Sequence, residues 1–243
     1  MEDKLEFDNI RRYHFVLLGF AQHKEVLAKL NQNMPFYRIT QMGEIDTKEV
    51  VYDDPDSVLT DSGVVISKHY DGDKTTLNVS KLSALQGNMK RPSKDYHLGE
   101  IGKETEPKDL SLEISTAIES AFNASFTSDL DGLVKQTRPK IEITIKGTRY
   151  KIICGSGYRA SMVFENATYK DVASKLKTEL AGVTLELPAG RNIPENDEIL
   201  KVIDRYVNEL ALYNLSRYEI AKKLLYTRPE ELETTEETSE EEE

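Results

Sequence analysis

Residues Val51 to Tyr70, VYDDPDSVLTDSGVVISKHY, decide how the rest of the chain is read. They end one extended segment, turn at Asp54-Pro55-Asp56 and begin a new strand after Gly63. Proline presets one turn dihedral, and the flanking aspartates can bond nearby backbone amides, so the turn has a physical cause. The strand Val64 to Tyr70 meets Asp71-Gly72-Asp73 and returns as Thr75 to Leu82, which predicts a β-hairpin.

Upstream of this hairpin, Arg11 to Phe20 reads as a first strand and Ala21 to Leu30 as a helix with Val26, Leu27 and Leu30 on one face. Tyr37 to Met42 and Lys48 to Tyr52 read as two short extended pieces around Gly43. Downstream, the polar run Ser83 to Lys108 reads mainly as loop, with one short strand near His97 to Ile101. Leu110, Ile114, Ala117, Ile118, Ala121 and Phe122 recur at helical spacing. Period two then returns: Ile141, Ile143 and Ile145 alternate with polar residues, and further strands are predicted at Arg149 to Cys154, Arg159 to Ala167 and Val183 to Leu187. The end reads as helical, with a stripe from Ile199 to Leu210 and a capping box, Ser216-Arg-Tyr-Glu219, opening a second helix through Tyr226. Residues 1–228 are therefore expected to form one domain that includes a C-terminal helical hairpin at about 196–228.

The net charge of −11 over 243 residues is misleading, because nine glutamates follow Arg228 with no base among them. Without those nine the remainder carries a charge near −2. Residues 229–243 cannot bury apolar surface and are expected to be a disordered acidic tail. The overall acidity argues against nucleic acid, and the near-neutral body leaves room for a local anion site. Cys154 is the only cysteine and lies in an apolar run, YKIIC, which predicts a buried thiol and allows no intrachain disulfide. The amino terminus has no apolar signal core and no apolar run reaches membrane-spanning length, so a cytoplasmic protein is expected. His14, His23, His69 and His97 lack metal-ligand spacing, and His23 is expected at the surface. Gly155-Ser156-Gly157 precedes no helix and is no phosphate loop, and no Walker sequence, serine-nucleophile motif or zinc pattern occurs.

Many alternating strands with few helices between them suggest an α+β chain built on an antiparallel barrel or sandwich. Tyr52, Asp53, Pro55, Leu59 and Gly63 resemble the Y-x-D-T-P-x-x-x-L-x-x-x-G run of the CYTH superfamily, the triphosphate tunnel proteins, with Asp54 where the threonine often stands. Ser161 to Tyr169 resembles the family's late V-x-L-D-x-V strand, with Glu165 in place of its aspartate, and Val183 to Leu187 resembles its final E-I-E-L strand. The resemblance spans about Tyr13 to Leu187. It implies a closed antiparallel β-barrel, triphosphate-tunnel-like, with flanking and C-terminal helices, whose bore binds a triphosphate through basic residues and magnesium or manganese through carboxylates.

Such a bore needs lysines and arginines for the polyanion and oxygen ligands for a hard cation, recurring at every second strand position. Where the family has E-x-E-x-K in its first strand, the matching face here is Arg12, His14 and Val16. The arginine pair after the glycine becomes Ser67 and His69, with Lys68 on the other face beside Val64, Ile66 and Tyr70. The T-x-K that follows falls on Asn78 and Ser80. The final E-x-E becomes Thr184 and Glu186, and Glu165 can supply a second metal carboxylate. The ligand residues implied are Arg12, His14, Ser67, His69, Asn78 and Arg159, with Glu165 and Glu186 for the metal; no catalytic residue is assigned.

Two functions remain open at this stage. In the first, the tunnel domain has weak or no catalysis, so that its cofactor is Mg or Mn or none; it binds a triphosphate, nucleotide or other phosphorylated small molecule, or serves as an interaction module whose C-terminal helices or acidic tail meet a protein partner. In the second it is an active metal-dependent triphosphatase or nucleotide cyclase, which would require Glu142, Glu165 and Glu186 to converge with several of Lys140, Arg149, Lys151 and Arg159.

Overall fold

A computed structural model describes residues 10–81, 94–122, 129–188, 193–213 and 215–226. The element order is β1 (Ile10–Leu17), α1 (His23–Asn33), β2 (Tyr37–Asp53), α2 (Val58–Asp61), β3 (Val64–Asp71), β4 (Lys74–Lys81), β5 (Lys94–Glu100), α3 (Ser111–Phe122), α4 (Leu130–Lys135), β6 (Arg138–Cys154), β7 (Arg159–Asp171), β8 (Lys177–Pro188), α5 (Pro194–Tyr206), β9 (Leu210–Tyr213) and α6 (Arg217–Tyr226). A 3-10 turn, Pro107–Leu110, precedes α3.

The hairpin expected around Asp71-Gly72-Asp73 forms as β3 and β4, with Gly72 in the left-handed region that a tight turn requires. The turn before it is braced from within. The Asp54 carboxylate accepts the amides of Asp56 at 3.1 Å and Leu59 at 2.9 Å. The Asp53 carboxylate accepts the Thr60 hydroxyl at 2.6 Å and Lys140 Nζ at 3.0 Å. Both aspartates are buried, so this part of the motif is a structural clamp and is spent on the fold.

All pairings are antiparallel, in the order β5-β4-β3-β2-β6-β7-β8-β1-β9. The strands β5 and β9 are the two edges, and no pairing among the described residues joins them. The closed barrel expected from the sequence is thus corrected to an open nine-stranded sheet. Burial does not need closure here, because helices cover the middle of both faces.

On the back face, α1 and α5 pack over Phe15, Met162, Phe164, Leu185 and Ile152. Farther along the same face, α3 and α4 pack over Val50, Tyr52, Val64, Ile66, Leu77 and Val79. On the front face, Tyr218, Ile220, Ala221 and Leu225 of α6 bury against Val51, Val65, Ile141, Ile143, Ile145, Ala167 and Tyr169. The back face also holds Lys68, wholly buried, whose ammonium donates to the Lys103 carbonyl at 3.1 Å and to Glu106 at 3.2 Å. That pair ties the segment before α3 to β3, and the register places Ser67 and His69 on the opposite side.

Several boundaries differ from the sequence reading. The pieces around Gly43 are one strand, β2, interrupted by a bulge between Gln41 and Gly43, and the segments on either side of Gly147 are one strand, β6. Paired to each other along their lengths, two long strands carry polar residues that would terminate a shorter one. The helical stripe expected to reach Leu210 ends at Tyr206, and β9 lies between α5 and α6 in place of a hairpin turn. The Ser216 capping box forms as expected, with Ser216 and Glu219 exchanging backbone-to-side-chain bonds of 2.7 and 3.2 Å. Cys154 is partly exposed and lies 3.0 Å from the Ser156 hydroxyl, so the expected buried thiol is corrected. His23, expected at the surface, is half-buried edge-on to Phe164, and burial pushes its pKa down. The acidic tail lies outside the described residues. No described helix is long and apolar enough to cross a membrane.

Candidate functional site

The pairing register places every residue singled out for the bore on one face. Arg12 and His14 on β1 stand opposite Glu186 and Thr184 on β8, which stand opposite Ser161 and Val163 on β7. Lys151 and Arg149 on β6 continue the same rows, with Arg159 and Arg38 one row beyond. Ser67 and His69 lie opposite Val51 and Glu49, and Asn78 and Ser80 opposite Ser67 and Val65. These form the front face, which is also the face covered in its middle by α6.

The face does not hold the candidates in one group. Arg12 and Arg159 belong with Arg38, Arg149 and Lys151 at one end, whereas Ser67, His69 and Asn78 lie at the other. Traced along β7, the Ser161 and Asp171 rows are ten residues apart, about 33 Å of strand. Helix α6 lies between.

The first end is strongly cationic. Arg12 Nε donates to Glu186 at 3.1 Å, and the other Glu186 oxygen accepts the Ser161 hydroxyl at 2.6 Å. Burial alone would raise the Glu186 pKa, but the charges of Arg12 and Arg149 and the Ser161 bond outweigh it and hold the carboxyl below the usual range. Arg38 and Arg149 are exposed and Lys151 half-exposed, and none of the three has an ion pair among the described residues. Among the described residues, five cations thus share this end of the face with Glu186.

The centre holds a residue that the sequence reading passed over. Arg217, first residue of α6, donates to Glu165 at 2.6 Å and to the Thr184 hydroxyl at 3.2 Å. Thr184 donates to Glu165 at 3.1 Å and lies 2.9 Å from His14 Nδ1. The charge of Glu49 also acts on Arg217, and Glu49 lies 3.4 Å from His69, itself 3.1 Å from Ser67. Burial would lower the Arg217 pKa, but Glu165 and Glu49 together raise it. The arginine thus ties the start of α6 to the Glu165–Thr184–His14 group on β7, β8 and β1. A sign of it was present in the capping box: a cation in the first turn of a helix opposes the helix dipole and needs a carboxylate nearby.

Two glycines flank Glu165 in its row, Gly147 and Gly182, and both allow close approach of neighbouring strand backbone. A Cβ on Gly147 would stand 2.0 Å from the Phe164 carbonyl oxygen, and one on Gly182 2.4 Å from that of Phe15. Neither backbone neighbour can move without breaking its strand pairing. Gly147→Ala is expected to cost about 2 kcal/mol, read as a lower urea midpoint with an unchanged slope.

The carboxylates do not fit a shared divalent cation. Glu165 and Glu186 lie in rows four residues apart on β7 and β8, and each is bound by an arginine. Glu142 is on the back face, paired with Lys48 at 2.7 Å, and Lys140 is engaged by Asp53 at 3.0 Å. Among the described residues no three histidine, cysteine or acidic side chains converge as a metal site. A groove of about 380 Å³ lies along α5 between Pro194 and Tyr206, away from the front-face residues.

No protein-family model matches the chain, and no curated protein does. Among solved structures, a candidate adenylyl cyclase of Hippeastrum described as having a dominant triphosphatase activity has a similar fold, at TM-score 0.57 and 10% identity over 91% of this chain and 98% of that one. A protein of Pyrococcus horikoshii OT3 matches at TM-score 0.51 and 11% identity, over 88% of this chain and 99% of that one. At such identities the likeness concerns the fold.

Proposed function

We propose, from the premise that the chain carries a CYTH-like fold, that it binds a triphosphate, nucleotide or similar polyphosphorylated small molecule at the basic end of the front face and has weak or no hydrolytic activity. One observation carries the reading: among the described residues, Arg12, Arg38, Arg149, Lys151 and Arg159 share that end of the face with one carboxylate, Glu186. Guanidinium groups suit phosphate oxygens because their paired N–H donors match two oxygens at once. Hydrolysis by metal-activated water needs carboxylates gathered about a cation, and Glu165 is engaged by Arg217 instead.

Calorimetric titration with tripolyphosphate, with and without magnesium or manganese, tests this. Binding should occur without metal and weaken as salt rises, since the cations are exposed. A second reading, an active metal-dependent triphosphatase or nucleotide cyclase, draws support from Arg149, Lys151 and Arg159 sharing their face with Glu186. Phosphate release from ATP or tripolyphosphate that depends on metal and vanishes in Glu186→Gln would establish the second reading and displace the first.

A further inference from the structure

We propose that the glutamate-rich C-terminal segment docks on the basic end of the front face of its own chain, where it competes with an anionic ligand. The competitive consequence rests on the ligand reading above; the docking itself does not.

Charge complementarity is the first ground. After Arg228 the chain carries nine glutamates and no base, ending in four consecutive ones, Glu240 to Glu243. The basic end offers Arg38, Arg149 and Lys151 without ion-pair partners among the described residues. Many lysines elsewhere are already engaged: Lys48 by Glu142, Lys140 by Asp53, Lys146 by Asp46, Lys29 by Glu209 and Lys222 by Asp61.

Reach is the second. Helix α6 lies on the front face, and its last residue, Tyr226, donates its hydroxyl to the Asp171 carboxylate at the end of β7. Tyr226 therefore lies on the same side of the sheet as the basic end, with α6 between them. From Asp171 to Arg159 is twelve residues of β7, about 40 Å. The seventeen residues after Tyr226 extend to about 56 Å, so the terminal run of glutamates arrives there with a few residues to spare. The span exceeds the roughly 23 Å r.m.s. length of a flexible seventeen-residue chain, so charge attraction must draw the segment out, and the docking should weaken steeply as salt rises.

The test is zero-length carbodiimide coupling of the full chain followed by peptide mapping of the monomer. Lys151 is the amine at the basic end, and the expected product joins it to Glu240–Glu243, with a yield that falls at high salt. Coupling of the tail to other lysines in preference, no coupling, or a yield indifferent to salt would overturn the docking. In parallel, Glu240→Gln, Glu241→Gln, Glu242→Gln and Glu243→Gln in one chain should bind tripolyphosphate about threefold to tenfold more tightly than the parent at low salt. If neither protein binds tripolyphosphate but the Lys151 product forms, the docking stands and the ligand reading falls. If both bind it equally, the competition is absent.

Discussion

Replacing Arg217 with methionine is expected to destabilise the protein by about 3 kcal/mol, the low end of the range for breaking a buried ion pair by removing one partner. Glu165 is 8% exposed at its side chain and Arg217 23%, so the change would leave a poorly solvated carboxylate with Thr184 as its remaining hydrogen-bond partner among the described residues. A change of this size in a domain of this length lowers the melting temperature by about 6–12 °C. The loss comes mainly from the orphaned charge. Pairing Arg217→Met with Glu165→Met should therefore recover most of it, because apolar replacement of both partners is close to neutral. A double variant as unstable as the single would mean that Arg217 acts chiefly by packing α6 and that the Glu165 bond contributes little.

What could be read from sequence on this face was its strand register. The alternation of Ser67 and His69 against Val64, Ile66 and Lys68 placed the polar pair on one side and the lysine on the other, and the structure keeps that division. Alternation is a local property of the strand and survives whatever the sheet does globally. Closure is a different matter. It depends on whether the two edge strands, β5 and β9, meet, and β9 is four residues hidden between two helical patterns, too short to display a period. Arg217 escaped notice because its role is set across the sheet by Glu165, 52 positions earlier, while its own surroundings read simply as a capped helix. The Asp53-Asp54 turn was legible as a turn and as a family mark, but its buried bonds to Thr60, Leu59 and Lys140 show that it supports the fold without contributing to an anion site.

Reversing two charges, Arg149→Glu with Lys151→Glu, is expected to weaken tripolyphosphate binding at least about a hundredfold at low salt, a loss of roughly 2.7 kcal/mol. Each reversal removes a cation and adds a repulsion, and the two residues stand in adjacent front-face rows beside Glu186, so the added carboxylates would compound the charge already there. Both side chains reach solvent, so the fold should tolerate the change, and an unchanged urea midpoint would separate lost binding from lost structure. The effect should shrink as ionic strength rises, because screening weakens interactions among exposed charges. Two further variants locate the site within the face. His69→Ala and Asn78→Ala alter the far end, on β3 and β4, beyond the ground that α6 covers. If the ligand sits only among the arginines, these two leave its affinity unchanged; if they weaken it as strongly as the charge reversal, the ligand spans the face and α6 must move to admit it.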